Sequence, residues 1–483
     1  MQKMKTENMS HQIEGLTSYL HGLLSNVPEK RLPPLYLVGG SVRDILLGRN
    51  AKDIDIVCRN AKTTAEKIAQ ANDARVVVFK KRENDLCYRI VDKERHDLFL
   101  DITPIQGDSL DEDLFNRDFT VNAMAKPVIL SGLGRLIDPL GGEQDLKMKL
   151  IRAVGENAFD QDPVRMLRAF RLAAQLDFQI HKLTLEMIND KAALLRKSAP
   201  ERIIAELLLL LSESPCFKLI NLMDETGLLQ VVFPEISAMR GCEQNSFHHK
   251  DVWEHSLIVL ENCESILVQT EAFFGDQAEH VREILAQGNR LPLLKLGALL
   301  HDLGKPKTKG GNAKTGRITF YGHDLAGAEI IEAIAERLKM SNLDRETLKI
   351  LVGEHLHVQV LSQPEIKIST RMRFFRKYRD LAVPIIILGL ADIKGRLGPD
   401  SKPEESGHYK VWVGEAVAQY FQEVRSALDQ TPLINGRDLL ELGLKPGPQI
   451  GLILEYIQQA QDDGEILDRD QALELAERLV QQL

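Results

Sequence analysis

The sequence predicts a multidomain protein of mixed class, a small α/β head followed by all-helical domains. Three observations carry that expectation. At 483 residues the chain is too long for a single core, and 44% hydrophobic residues suffice to fill several. A strand–turn–helix–strand pattern runs from Leu35 to Val57, LYLVGGSVRDILLGRNAKDIDIV, and shorter strand-like runs follow as far as Ile102. From Asp160 onwards the stretches that can be read are helical.

Residues 1–30 read as a helical extension, with Ile13, Leu16, Tyr19, Leu20 and Leu23 at helical spacing. Leu35 to Val38 reads as a short buried strand. Gly39-Gly40 breaks it with a turn whose bare backbone can approach a phosphate closely. Ser41 is expected to cap the next helix, with Asp44 at capping-box spacing, so that backbone N–H groups face an incoming anion. Gly48 stops this helix and Lys52 to Val57 forms a strand. Side chains repeat every two residues on a strand, so Asp53 and Asp55 share a face. Two carboxylates beside such a turn suit a hard, oxygen-loving cation such as Mg²⁺. A plain glycine turn followed by two solvated aspartates is the alternative.

Further on, the pattern predicts a helix over Thr63 to Asn72 and strands at Ala74 to Phe79, Arg89 to Val91 and Asp97 to Ile102. Asp101 on the last strand could project toward Asp53 and Asp55 as a third carboxylate, and Asp97 is the second choice on the same face. Three acidic groups around two metal ions are what phosphoryl transfer uses to clamp a triphosphate and activate a hydroxyl. In NRDFTVNAMA, Asn116 to Ala125, Arg117 offers a planar fork for a phosphate or ribose, and Asp118 can accept from a ribose hydroxyl. In DQDPVRMLRAFRLAAQLDF, Asp162 is expected to cap a helix with Pro163 in its first turn. Arg165, Arg168 and Arg171 then form one basic stripe, which in most proteins is a solvated face.

Together these stretches resemble the nucleotidyltransferase family of tRNA CCA-adding enzymes and bacterial poly(A) polymerases, with its motifs G-G-x-V-R-D, D-x-D, R-R-D-F-T-x-N-A and E-D-x-x-R. The resemblance implies that Asp53, Asp55 and Asp101 hold Mg²⁺ and do the catalysis. It also implies that Gly39, Gly40, Ser41, Arg43, Asp44, Arg117, Asp118 and Asn122 bind the nucleotide, with ribose recognition at Arg117 and Asp118. Asp162 and Arg165 would select the base of CTP or ATP, and Arg168 and Arg171 would meet phosphates. Two positions depart from the motifs: Asn116 stands where an arginine is usual and Gln161 where a glutamate is. From Leu433, LINGRDLLELGLKPGPQIGLILEYI resembles the C-terminal signature of the same family, a Pro-Gly-Pro turn between two helices.

Eight of the 13 histidines fall between His248 and His357. Burying an adjacent His-Asp pair, His301-Asp302, at the end of an apolar helix is costly without a cation. The order His255, His301-Asp302, Asp392 resembles the HD phosphohydrolase superfamily, and His323 and His355 match the extra ligands of its two-metal members. A divalent metal (Mg, Mn, Ni or Fe) and hydrolysis of a phosphate ester are what this implies. The stretch RMRFFRKYR, Arg371 to Arg379, could hold an RNA backbone, but its aromatics are expected in the core with its charges in water.

Composition limits the partners. Five cysteines, at positions 58, 87, 216, 242 and 263, show no paired spacing, which fits a reducing cytosol. Runs such as Leu207 to Leu211 and Leu381 to Ala391 are too short to span a membrane, so a soluble cytoplasmic protein without a membrane partner is expected. A net charge of −9 opposes non-specific nucleic-acid binding and favours a small shaped RNA held by local basic patches. The expected layout is 1–30 extension, 31–150 nucleotidyltransferase head, 151–235 helical neck, 236–395 HD domain and 396–483 helical tail. The expected activity is addition of CMP, and in complete enzymes AMP, from CTP and ATP to the 3′ end of tRNA. Only Ile102 to Asn116 is available between Asp101 and Arg117, where triplet-completing relatives carry a longer loop, so a CC-adding subtype with a separate A-adding partner enzyme is expected. Poly(A) polymerase is the alternative within the family. A phosphohydrolase whose head only binds nucleotide or RNA is the alternative outside it.

Overall fold

The structure, a computed structural model, describes residues 18–27, 32–49, 53–82, 85–91, 99–129, 132–312, 316–396, 398, 403–425, 432–462 and 465–481. The chain divides into two units, Met1–Pro234 and Glu235–Leu483. Asp97, Ile13 and Leu16 lie outside the described residues.

In the first unit the order is β1 (Leu35–Val38), α1 (Gly40–Leu47), β2 (Asp53–Cys58), α2 (Ala61–Ala71), β3 (Arg75–Arg82), β4 (Asp85–Val91), β5 (Phe99–Pro104), α3 (Leu110–Phe115), β6 (Ala125–Ile129) and β7 (Gly132–Leu133). These strands form one sheet in the order β3-β4-β5-β2-β1-β6-β7. Only β2 and β5 run parallel, a pairing that needs a crossover, and α2 with the β3–β4 hairpin supplies it. Ile54 and Ile56 of β2 and Leu100 and Ile102 of β5 are fully buried on one face, where α2 crosses β3, β4 and β5. Alternation then places Val38, Val57, Leu114 and Ala125 in a second cluster, and Asp55 and Asp101 on the opposite face from α2. Strands β6 and β7 were not expected. Pro127 interrupts the stretch, but the two-residue β7 pairs only with Val128 and Ile129, and on that side Pro127 is needed only as an acceptor, from the Gly134 N–H at 2.7 Å.

Two helix starts differ from expectation. Helix α1 begins at Gly40 with Gly39 as its cap, and no side chain caps it. Ser41 is already inside the helix, and its Oγ accepts from the Asp55 N–H at 3.0 Å, which ties α1 to β2. Asp162 does not cap the basic helix α4 (Arg165–Leu176); it ends the short turn Ala158–Gln161 in extended conformation. Its carboxylate is held by Arg202 at 2.8 Å, on α5 (Pro200–Ser212), so a long-range ion pair has displaced the local cap. Residues 18–25 are helical, with Tyr19, Leu20 and Leu23 buried.

Among the described residues the second unit is helical apart from a two-stranded hairpin at Gly310–Gly311 and Ile318–Thr319. Its core is α6 (Val252–Val268), α7 (Arg290–Leu300), α8 (His323–Arg337), α9 (Asn342–Glu354) and α10 (Ala382–Gly395). Helix α10 is apolar all round, AVPIIILGLADIKG, and accordingly lies buried against α6, α7 and α9. Glycines permit two close approaches. A Cβ on Gly304 would lie 2.0 Å from the His323 carbonyl oxygen, and one on Gly389 would lie 2.8 Å from that of His355. Helix Ile368–Tyr378 buries Met372, Phe374, Phe375 and Tyr378, so the aromatics of RMRFFRKYR are core. At the C-terminus α11 (Gly436–Glu441), α12 (Pro448–Asp462) and α13 (Arg469–Gln481) enclose their own core of Leu439, Ile453, Ile457, Ala472 and Ala476. The Pro-Gly-Pro stretch at Pro446 to Pro448 joins α11 to α12 as expected. No helix among the described residues is long and apolar enough to cross a membrane. All five cysteines are free and buried.

Candidate active site and metal centre

In the first unit the site begins where β1 ends. Gly39 has φ +69°, and a Cβ there would stand 3.1 Å from Arg117 Nη1 and 3.8 Å from Asp55 Oδ2. The bare turn therefore lies between a guanidinium and a carboxylate, a cradle for a phosphate and its cation that any side chain would fill. Arg117 is braced by Asp113 at 2.8 Å, one turn earlier at the start of its own approach. Asp55 pairs in register with Asp101 across β2 and β5, and Asp53 with Phe99. Neighbouring strands lie about 4.8 Å apart, a spacing at which carboxylates on one face can share a divalent cation.

A polar chain lies beside this cradle. Arg43 is buried, forks onto Asp44 at 2.9 and 3.0 Å, and donates to Asn122 Oδ1 at 2.8 Å. Asn122 Nδ2 donates to Asp118 Oδ1 at 3.1 Å, as does the Phe119 N–H at 2.8 Å, and Arg168 Nε stands 2.9 Å from Asp118 Oδ2. Burial pushes the Asp118 carboxyl up, but Arg168, Asn122, Arg165 and the Phe119 amide outweigh it and hold it below the usual carboxylate range. The Asp118 charge in turn raises Arg168, against the effect of burial, with Glu206, Asp55 and Asp162 adding to it. A lowered carboxyl stabilises the fold at pH above its unfolded pKa of about 3.9, and this is lost as pH falls through the folded value. Asp118→Asn is expected to remove that part of the acid sensitivity, flattening the stability change below about pH 4, as followed by circular dichroism in urea.

The arginine stripe is not a uniform solvated face, since each member has its own partner. Arg165 is only 2% exposed and donates to the carbonyls of Ala158 and Asn116 at 3.1 and 2.6 Å. Arg171 is paired with Glu206 at 2.5 Å, whereas Arg168 stays partly exposed between Asp118 and the acidic strands. The two departures from the motifs meet each other: Gln161 Nε2 donates to Asn116 Oδ1 at 3.3 Å, an uncharged pair. Sequence reasoning missed the counterions Asp113, Arg202 and Glu206, because each belongs to a different element from the motif or to its flank.

The second unit gathers histidines from helix ends. His301 follows α7, His323 opens α8 and His355 follows α9. Each Nδ1 lies against the carbonyl three residues earlier, at 3.0 Å (Ala298), 2.8 Å (Phe320) and 2.6 Å (Val352). A carbonyl can only accept, so Nδ1 carries the proton and Nε2 keeps its lone pair for a metal. His255 Nε2 lies 3.0 Å from Asp392 Oδ1, and Asp302 Oδ2 is 3.1 Å from His301 Nε2 and 2.7 Å from Lys305 Nζ. The Nε2 atoms of His301 and His323 and both oxygens of Asp302 are buried without a directed hydrogen bond. Such a donor set fits a divalent cation. The ligand atoms form the groups His255–His301–Asp302 and Asp302–His323–His355, which share Asp302.

Electrostatics favour the ligating forms of Asp302, Asp392, His255 and His355. Burial pushes Asp302 and Asp392 up, but His301 and Lys305 for the first, and Arg396 and His255 for the second, hold both well below the usual range. Burial lowers His255 and brings His355 down to about 3, so these imidazoles stay neutral. His301 is raised: burial lowers it, but the Asp302 charge and contact outweigh burial. His248 joins His255 and Asp392 as a further group and was not expected. It precedes α6 in an irregular stretch, so no helical spacing pointed to it. Burial and the Lys305 charge lower His248 to about 2. Above the cluster opens a cavity of about 1000 Å³, lined among others by Phe247, Lys305, Arg317, Phe320, Tyr321 and Arg396.

A mixed sheet with paired acidic strands beside a glycine cradle, and a helical unit built around a His-Asp cluster, define a nucleotidyltransferase that carries an HD-type domain. Family models agree: Poly A polymerase head domain over residues 35–152, Probable RNA and SrmB-binding site of polymerase A over 177–239, and HD domain over 252–393. The chain is 32% identical to an A-adding tRNA nucleotidyltransferase of Deinococcus radiodurans over 451 residues, 90% of this chain and 95% of that one. It is also 32% identical to a CC-adding tRNA nucleotidyltransferase of Thermus thermophilus over 443 residues, 90% and 91% of the two chains. The fold resembles that of the Thermotoga maritima CCA-adding enzyme complexed with tRNA, with TM-score 0.60, 22% identity and 98% of each chain covered. The chain belongs to the tRNA nucleotidyltransferase family.

Proposed function

We propose that this protein adds cytidylate residues from CTP to the 3′ end of tRNA and stops at CC, leaving the final A to a separate A-adding enzyme in the cytoplasm. The observation that carries the CC reading is the link between β5 and Arg117. It consists of a short turn and α3, whose N-cap Ser109 accepts from the Glu112 N–H and whose Asp113 grips both the Gln106 N–H and Arg117. No long loop stands there to reshape the base site from C to A. Identity does not choose between subtypes, since the A-adding and CC-adding relatives are equally similar.

In this reading residues 31–150 are the catalytic head, 151–235 the neck, 236–395 the HD domain and 396–483 the tail. Asp53, Asp55 and Asp101 hold Mg²⁺, which when bound neutralises triphosphate charge and acidifies the terminal hydroxyl. The Gly39-Gly40 turn and Arg117 orient the triphosphate, and the Arg43–Asn122–Asp118 chain presents an acceptor to the ribose. Arg168 supplies positive charge beside the acidic strands. For Asp162 and Arg165 to read a base edge, Arg202 and the Asn116 carbonyl have to be given up. Incubating the protein with tRNA lacking CCA is the test. CTP alone is expected to extend it by two residues, ATP alone by none, and efficient incorporation of a terminal A from both together would end the CC-only reading.

The cavity over the His-Asp cluster favours a second activity, metal-dependent hydrolysis of a phosphate ester, with His255, His301, Asp302, His323, His355 and Asp392 as ligands. Lys305, Arg317 and Arg396 line that cavity and give its wall the positive charge a phosphate needs.

A further inference from the structure

Asp101 is 2% exposed, and a carboxylate that deep needs a positive partner. Arg89 is that partner. Its Nε and Nη2 reach Asp101 Oδ1 and Oδ2 at 2.7 and 3.0 Å, a side-on fork. The pairing follows from register: Arg89 stands opposite Asp101 across antiparallel β4 and β5, and Asp101 stands opposite Asp55 across parallel β5 and β2. Guanidinium, inner carboxylate and outer carboxylate therefore form a row across three adjacent strands. Arg89 lies on the side of Asp101 away from Asp55, next to the acid and remote from the Gly39 cradle. The guanidinium carbon also sits 4.6 Å from the Phe99 ring centre and 5.2 Å from that of Phe79. Two flanking rings restrict a side chain that is otherwise free to rotate and add cation–π attraction.

We propose that Arg89 is a positioning residue for nucleotide transfer, which fixes the plane of the Asp101 carboxylate so that one of its edges is held toward the Asp55 side. A fork of this kind engages one lone pair of each oxygen and thereby sets the direction in which the others point. Arg89 touches neither nucleotide nor RNA in this scheme; it acts only through Asp101. A lysine would keep the charge but not the plane. The inference rests on the reading of Asp101 as the third catalytic carboxylate.

The test is single-turnover addition of CMP to tRNA lacking CCA, with Arg89→Met, Arg89→Lys, Asp101→Ala and the double variant Arg89→Met/Asp101→Ala. Methionine keeps the stem packed between the two rings, and lysine guards against a fold that needs a cation at this position. Arg89→Met is expected to lower the rate of addition about 10- to 100-fold, the range typical of partners that orient a ligand. KM for CTP should stay near the wild-type value, the Mg²⁺ midpoint should rise, and Arg89→Lys should fall between methionine and wild type. In the Asp101→Ala background the Met change should add nothing, because its effect passes through the absent carboxylate. An equal loss in both backgrounds, or wild-type rates in folded Arg89→Met with Asp101→Ala impaired, overturns the role of Arg89. Wild-type rates in Asp101→Ala overturn instead the reading of Asp101 on which it depends.

Discussion

Replacing Asp55 by alanine is expected to lower CMP incorporation into tRNA by on the order of 10³-fold or more, since a cation that loses an anionic ligand at the reacting phosphate forfeits several kcal/mol of stabilisation. The structure ties this residue to three features of the head. Its amide donates to Ser41 at the start of α1, its carboxylate comes within reach of the Gly39 turn, and its neighbour across the parallel pair is Asp101. The change removes a partly exposed side chain and leaves the Asp55 N–H bond to Ser41 in place, so the fold should survive. A normal thermal melt alongside the lost incorporation checks this. Phosphate release by the second unit should continue at the wild-type rate. Full CMP incorporation by Asp55→Ala would refute the catalytic role of this carboxylate, whereas a wild-type protein that incorporates no CMP would favour a head that only binds nucleotide or RNA.

The second large effect is expected at Asp302. This carboxylate belongs to two of the three candidate cation groups and is the counterion of Lys305 and three histidines. Asp302→Asn keeps the volume but removes the charge, and should lower retention of Mn²⁺ or Ni²⁺ by about 10²-fold or more. Metal per chain after gel filtration, measured by mass spectrometry, reports the loss. Hydrolysis of p-nitrophenyl phosphate should disappear with it, while extension of tRNA is retained. Metal retention equal to wild type would mean that the cluster binds no cation at this residue. Retained metal in the wild type with no phosphate released from any nucleotide ester would make the domain structural.

Much of the head was legible because its information is local. Parity along β2 set Asp55 apart from Ile54 and Ile56, and the stop at Gly48 appears as a left-handed cap with φ +67°. Ser41 and Asp162 show the limit of that kind of reading. Each is a good cap by type, yet each has a better partner from elsewhere, the Asp55 amide and Arg202, because a buried donor or acceptor takes whichever partner packing supplies. The arginine stripe was read by spacing alone. Spacing says which side chains share a helix face but not what that face meets, and here Arg165 meets carbonyls, Arg168 an aspartate and Arg171 a glutamate.

By itself the sequence determined which groups are available: the glycine turn, the carboxylates with their strand parity, and the His-Asp doublet at the end of an apolar helix. These depend on chemistry and on neighbours within a few residues, which a chain displays in order. Only the tertiary structure decided how those groups are paired and aimed. It set Arg89 against Asp101, brought His248 to His255 and Asp392, and let Gly304 lie against the His323 carbonyl so that Asp302 and His323 meet. Such pairings join residues far apart in sequence through strand register and helix packing, where many near neighbours jointly choose the partner and no single stretch carries the signal.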